Sequence, residues 1–276
     1  MGKIINKRYQ AEFNNPEWNG FEVVAAIDKR SPDEELVWIY TFKRKQADDL
    51  LHSIVLRRAE TLAHYNHPMI APLLDYGYDQ AQGVYFFVYQ PPSGMRLDKY
   101  LQVMKPSLDW RFNFLHTVAG LLADLHSRGI AYGPLALMDI YVPMGDVAAP
   151  SPVFSRVGLA NIASLLCAQT TSEENNGFEY QAKQDLESFF TFLACLISEK
   201  SNPVLADTEP SLRSSSTELF ELLKPILSER NDKKRPETIG EIKRLMEQAQ
   251  RILEGKDSYY VSITNSVRTQ LYEIGF

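Results

Sequence analysis

Cysteine is scarce: the 276 residues hold two, Cys167 and Cys195, each inside apolar sequence. That excludes a disulfide framework or a cysteine-built metal site and predicts two reduced core thiols in a cytoplasmic protein. No run of about 18 uncharged apolar residues occurs, and Met1-Gly2-Lys3-Ile4-Ile5-Asn6-Lys7 lacks the apolar stretch of a signal peptide, so no membrane insertion is expected. Basic clusters are short, as in Lys43-Arg44-Lys45 and Lys233-Lys234-Arg235, and the net charge is -6. Neutralising a phosphate backbone needs clustered cations, which removes nucleic acid from the expected partners. Apolar material is plentiful at 45% of residues. A chain of this length and composition is expected to fold, as one large domain or as two lobes sharing a cleft.

The stretch before residue 90 reads as strands around one helix. Phe21, Val23, Ala25 and Ile27 alternate with other side chains, Lys29 to Glu34 breaks the run, and Leu36 to Phe42 resumes it, predicting a hairpin. From Ala47 to Tyr65, Leu50, Leu51, Ile54, Val55, Leu62 and Tyr65 recur at helical spacing until Asn66-His67-Pro68 stops them. Strands at Ile70 to Tyr76 and Val84 to Gln90 enclose a polar turn, and Pro91-Pro92-Ser93-Gly94 ends the strand-rich part. Beyond it the pattern is helical, with apolar faces at Phe112 to Leu125 and Leu186 to Leu196 and an amphipathic helix over Glu237 to Leu253. Thr170 to Gly177 reads as an exposed loop. From Ser258 a tail carries an apolar stripe at Ile263, Val267, Leu271 and Ile274.

Six short motifs follow one another in order: Tyr40-Thr41-Phe42-Lys43, His67-Pro68-Met69-Ile70, Leu97-Asp98-Lys99-Tyr100-Leu101, Val157-Gly158-Leu159-Ala160, Asp185-Leu186-Glu187-Ser188-Phe189 and Lys234-Arg235-Pro236. Together they resemble the protein kinase fold of bacterial Ser/Thr kinases over about residues 8–253. The resemblance implies an α+β, bilobal protein kinase-like fold. Its small antiparallel-sheet N-lobe with one main helix would span 8–90, its hinge 91–94 and its larger helical C-lobe 95–253, leaving 254–276 as a C-terminal tail.

Phosphoryl transfer in that family is positioning plus charge neutralisation, through a glycine loop, a Lys held by a Glu, metal-binding Asp and Asn, and an Asp that takes the substrate proton. Most of these groups are missing. Where the family writes H-R-D-L-K-P-x-N, this chain has Tyr132-Gly133-Pro134-Leu135-Ala136-Leu137-Met138-Asp139. The proton acceptor becomes Pro134 and the metal-binding Asn becomes Asp139. The metal-binding Asp of the next segment becomes Arg156, a permanent cation. The glycine-loop positions fall on Pro16, Trp18 and Phe21, with Gly20 between them. The strand lysine is matched to Lys43 and its helix partner to Arg58, a like charge, with Glu60 two residues on as the alternative.

The resemblance also describes a vestigial nucleotide cleft made of Lys43, Thr41, Tyr89, Pro92, Asp139 and Tyr141. With Tyr89 as gatekeeper, the hinge residue that would donate to adenine is Pro92, which has no N–H. Thr41 would replace the small roof residue, and Tyr89 and Tyr141 would fill the cleft with ring atoms. An internal Arg156–Asp139 salt bridge is expected. Asp185 is expected to hold the catalytic-loop backbone and Arg235 to pair with Glu173, Glu174 or Glu179.

These departures imply a pseudokinase: a protein-interaction scaffold or allosteric module with no catalytic residue, no metal, no cofactor and little or no ATP binding. Its partners would be proteins. The alternatives are a divergent kinase-fold transferase that uses ATP and Mg²⁺ through Lys43 and Asp139, and a sensor binding another ligand in the cleft.

Overall fold

The computed structural model describes residues 4–18, 20–44, 49–144, 152–167, 177–198, 205–227 and 235–255. Its first part is antiparallel sheet. Strands β1 (Ile4–Ile5), β2 (Tyr9–Trp18), β3 (Phe21–Asp28), β4 (Leu36–Lys43), β5 (Leu73–Asp79) and β6 (Val84–Tyr89) form one sheet in the order β1-β2-β3-β4-β6-β5. Helix α1 (Asp49–His64) lies between β4 and β5 in sequence. The predicted hairpin is β3–β4, with Val23 opposite Tyr40 and Ala25 opposite Trp38. Strand β2 was not expected, because Tyr9 to Trp18 has no clean alternation and contains a proline. Its pairing with β3 carries two register irregularities, between Ala11 and Phe13 and between Asn15 and Trp18, which bend a strand that local propensity alone does not specify.

The sheet curls until its two edges are joined by side chains. The Tyr9 hydroxyl donates to the Asp75 carboxylate at 2.7 Å, Arg8 reaches the same carboxylate at 3.2 Å, and the Asn6 N–H donates to Asp79 at 3.1 Å. Alternation gives each strand two faces. Ile5, Tyr9, Ala26, Val37, Ile39, Phe86 and Val88 pack together on one. On the other, Phe21, Val23, Tyr40, Tyr85, Phe87 and Tyr89 pack with Leu51, Val55 and Ala59 of α1. Each fully buried Phe or Ile contributes about 1.5–3 kcal/mol.

Next come β7 (Met95–Arg96), α2 (Leu97–Met104), α3 (Leu108–Ser127), a 3-10 turn at Leu137–Asp139, β8 (Ile140–Val142) and β9 (Val153–Phe154). The three short strands form a second antiparallel sheet in the order β7-β8-β9. The described helices then continue with α4 (Leu159–Cys167), α5 (Phe178–Ser198), α6 (Leu205–Ser215), α7 (Thr217–Leu227) and α8 (residues 239–255).

The chain divides into two compact units, Met1–Val103 with Leu125–Asp185, and Met104–Asp124 with Leu186–Phe276. The division does not fall at the double proline. In the second unit Trp110 and Phe114 of α3 stack with ring centroids 5.0 Å apart. Arg111, buried, donates to the carbonyls of Leu196 at 2.8 Å and Pro106 at 3.0 Å. Its charge meets the free carbonyls at the end of α5, where a cation is favoured. Among the described residues no helix is long and apolar enough to cross a membrane. The tail stripe from Ile263 lies outside the described residues.

Candidate functional site: an aromatic and ion-pair plug in the first unit

Strand parity decides what enters the cleft. Tyr40 belongs to the cluster shared with α1, with Trp38 and Phe42 packed against it, while Val37 and Ile39 belong to the opposite face. Thr41 and Lys43 share the parity of Val37 and Ile39, so they point away from the cleft. Thr41 is buried on that far side, and Lys43 is exposed at the end of β4, opposite Val84. The placement of Lys43 and Thr41 in the vestigial cleft is therefore corrected, and with it the expected approach of Lys43 to Arg58. Three residues from Tyr40 to Lys43 is an odd step, and an odd step along a strand changes face. Tyr40 holds the inward position.

Rings converge there from four strands. Tyr40 meets Tyr89 edge-on with centroids 5.7 Å apart, Trp18 meets Tyr40 at 6.0 Å, and Trp38 meets Tyr141 at 5.9 Å. Such pairs add about 0.5–1.5 kcal/mol each beyond area burial. The Tyr89 hydroxyl donates to the Val157 carbonyl at 3.3 Å and the Tyr132 hydroxyl to the Ser155 carbonyl at 3.3 Å. Burial pushes Tyr40 up to about 12 and drives Tyr89 and Tyr132 upward as well, so all three stay neutral phenols.

Arg156 is the charged centre of this cluster. Its guanidinium forms an ion pair with Asp139 and lies over the Trp18 ring, 4.2 Å from the centroid, with the Tyr40 ring at 5.9 Å. The Asp139 side chain is 4% exposed and that of Arg156 12%, so solvent screens the pair weakly. Arg156 sits at φ 59°, a left-handed conformation that non-glycine residues rarely adopt. Asp139 ends the 3-10 turn, and its carbonyl accepts from the Ser155 N–H at 2.9 Å and hydroxyl at 2.8 Å. This donor set does not suit Mg²⁺, because its one carboxylate already faces a cation. Among the described residues no group of three His, Cys, Asp or Glu could hold a metal ion.

The backbone at Tyr132-Gly133, which the resemblance matches to the family's catalytic loop, is held by one carboxylate. Asp185, fully buried, accepts from the Tyr132 and Gly133 N–H groups at 2.7 Å each and lies 2.9 Å from His126 Nε2. Burial nevertheless pushes its carboxyl above the usual range, against the pull of His126 and the two N–H groups. The next residue in the motif, Pro134, is exposed and offers no proton acceptor. Pro92, half-buried, lies between β6 and β7. Gly133 stands at φ 102°, and a Cβ there would lie 2.8 Å from the Ala160 Cβ. The helix that begins at Leu159 therefore sits against the loop more closely than any residue with a side chain would permit.

That helix, α4, was not expected from the sequence. Leu159, Ile162, Ala163, Leu165 and Leu166 enter the core shared by α1 and the sheet. Asn161 Nδ2 donates to the Ala131 carbonyl at 2.9 Å, and Arg44 donates to the Leu166 carbonyl at the C-terminal end. Cys167, expected in the core, is exposed. Five of its apolar neighbours face inward and the last residue of the helix turns out. Cys195 is buried, which raises its thiol pKa. The signal for Tyr40 was present in the alternation of Trp38, Tyr40 and Phe42; for α4 it was the mostly apolar run from Leu159 to Leu166, interrupted by Asn161 and Ser164.

In the second unit Arg235 bonds Glu187 at 3.1 Å and lies 4.1 Å over the Phe190 ring. Glu187, not Glu179, is its partner; Glu173 and Glu174 lie outside the described residues. Glu187 is two residues past Asp185, and about 100° per residue turns it to the other side of the helix.

No protein-family model and no curated protein matches the sequence. Solved structures do match. A double mutant of the Mycobacterium tuberculosis PknI kinase domain superposes with TM-score 0.61 at 15% identity, covering 88% of this chain and 95% of that one. A single mutant of the same domain gives TM-score 0.60 at 15% identity, with 87% and 95% covered. The chain has a protein kinase-like fold. It is an α+β fold with a curled antiparallel sheet and a helical part, and at this identity the likeness extends to the fold alone.

Proposed function

We propose that this kinase-like chain is a pseudokinase that works by binding other proteins, without phosphoryl transfer and with little or no ATP binding. The observation that carries the reading is the Arg156–Asp139 ion pair: the kinase resemblance places Mg²⁺ and phosphate at these two positions, and here an internal cation takes the place of the metal. Pro134 removes the proton acceptor, and Pro92 removes the hinge N–H. An adenine acceptor left unpaired there costs about 1–3 kcal/mol, and the Trp38–Tyr141 and Tyr40–Tyr89 rings compete for the remaining volume. The transferase alternative needs Lys43 in the cleft, and strand parity turns Lys43 away.

The test combines thermal denaturation of the full chain with and without ATP and Mg²⁺ and radiolabel incorporation into generic substrates. No shift and no incorporation are expected. Saturable micromolar ATP binding by calorimetry, or incorporation lost in Lys43→Ala, overturns the reading. Protein contact is the remaining use of the fold. Deleting residues 258–276 is expected to leave the melting transition in place and to abolish association with the proteins that co-purify with the intact chain; unchanged association moves the binding surface elsewhere.

A further inference from the structure

Strand β1 is a short arm on a strained turn. Ile4 and Ile5 pair with Gln10 and Tyr9 of β2, and between them the Arg8 N–H donates to the Ile5 carbonyl at 3.1 Å. The two central residues of that turn, Asn6 at φ 50° and Lys7 at φ 53°, are both left-handed. Such a turn favours Asn followed by Gly, so Asn6 suits its place and Lys7 is strained. The arm has a specific seat all the same. Ile5 is fully buried and packs with Ala26, Val37, Ile39, Phe86 and Val88, on the face of the sheet opposite the plugged cleft. On its outer side the Asn6 N–H donates to Asp79 at 3.1 Å and the Ile4 carbonyl accepts from Gln82 at 2.7 Å. Beyond the turn the chain is fixed, because Arg8 donates to Asp28 and Asp75 and its carbonyl accepts from the Lys29 N–H at 3.1 Å. An opening that starts at Ile4 therefore stops at Lys7.

We propose that two copies of this chain exchange β1, the arm of each seating between β2 and the turn at 79–82 of the other. Every contact of the arm is remade with identical groups, so the exchange loses no complementarity, and two strained turns are released into extended chain. The register that sets Ile4 against Gln10 and Ile5 against Tyr9 then continues across the two-fold axis. Each Asn6 faces an Arg8, and the two Lys7 side chains face each other. Like charges directly opposite on paired strands repel, and salt screens them. Lys7 thus acts on the exchange twice, its backbone strain favouring the dimer and its charge opposing it. None of this depends on the plugged cleft, and either proposal survives the failure of the other.

Light scattering on the full chain, separated by size at rising concentration, tests the exchange. A monomer–dimer equilibrium is expected, with more dimer at about 500 mM than at about 50 mM NaCl. Lys7→Gly supplies the favoured Asn-Gly turn and weakens dimerisation by about 30-fold, since both turns lose their strain. Lys7→Gln keeps the strained turn, removes the repulsion and strengthens dimerisation. A dimer formed through any other surface around Lys7 would respond to both substitutions in the same direction. Deleting Asn6 and Lys7 leaves too little chain for a turn and gives dimer alone. In a Cys167→Ser background, oxidation of Ile4→Cys with Gln10→Cys links the two chains of the dimer to each other and each monomer to itself. A chain that stays monomeric to about 0.5 mM in both salts, effects of the same sign for Lys7→Gly and Lys7→Gln, a monomeric deletion variant, or a dimer whose oxidised cysteines link only within chains each overturns the proposal. If the deletion variant does not fold, the two Lys7 substitutions and the cysteine pair decide it.

Discussion

Two neighbourhoods of the first unit lie close together in the chain and treat the kinase pattern in opposite ways. Around Asp185 the backbone support of the Tyr132-Gly133 loop is complete, with two N–H groups and a histidine converging on one buried carboxylate. Around Arg156 a guanidinium and aromatic rings pack together, at positions that the kinase resemblance matches to metal, phosphate and adenine. Asp185 satisfies backbone N–H groups, which every residue but proline has, so its work depends little on what the loop's side chains do. Asp139 and the position of Arg156 have chemical work only if a metal arrives, and a cation supplied by the chain can replace it. In the proposed reading the fold outlasts the chemistry because different groups hold each.

Removing Asp185 tests the retained half. Asp185→Ala strands two buried N–H groups and is expected to cost about 3–5 kcal/mol, seen as a fall in the denaturation midpoint at unchanged slope. A loss below about 1 kcal/mol breaks the comparison. The replaced half is probed by a cycle: Arg156→Ala leaves Asp139 buried and uncompensated and is expected to cost about 2–4 kcal/mol, and adding Asp139→Asn recovers about 1–2 kcal/mol of it. Additive losses show that the two side chains are not coupled.

Acid sharpens the contrast from outside both neighbourhoods. Arg8 donates to Asp28 through Nε at 2.8 Å and Nη2 at 2.6 Å, and this holds the Asp28 carboxyl below the usual range. A depressed carboxyl stabilises the fold above its unfolded pKa of about 3.9 and stops doing so as pH falls through the folded value. Asp28→Asn is therefore expected to cost about 1–2 kcal/mol at pH 7 and less below about pH 4, where melting temperatures of the two proteins converge. The smallest effect is expected at Cys167, exposed at the end of α4: Cys167→Ser should change stability by less than about 0.5 kcal/mol.

Much of the first unit was readable in the residues because its signals are local. Alternation located β3 and β4, helical spacing located α1 to within two residues, and the motif around Asp185 implied its place under the loop. Strand β2 was not readable, because its irregular sequence is held as a strand by pairing with β3. Matching Tyr40-Thr41-Phe42-Lys43 to a motif favoured its one cation, whereas the alternation of the same residues points Tyr40 inward. Motif and periodicity disagreed, and periodicity is the physical constraint.

The sequence by itself determined which chemical groups are present: a proline at 134, an arginine at 156 and a proline at 92, positions that the kinase resemblance matches to a proton acceptor, a metal ligand and a hinge donor. Those identities need no coordinates, since a proline cannot take a proton in any fold. Only the tertiary structure decided which groups meet. Arg156 reaches Asp139 across 17 positions of chain because the Ser155 N–H and hydroxyl bond the Asp139 carbonyl. Arg235 takes Glu187 because helix rotation separates Glu187 from Asp185. The run at Leu159 to Leu166 becomes a core helix because a glycine at 133 leaves room for Ala160. Composition and order set what each residue can do, while contact between residues far apart in the chain depends on strand parity, helix rotation and close packing, which a linear reading samples only locally.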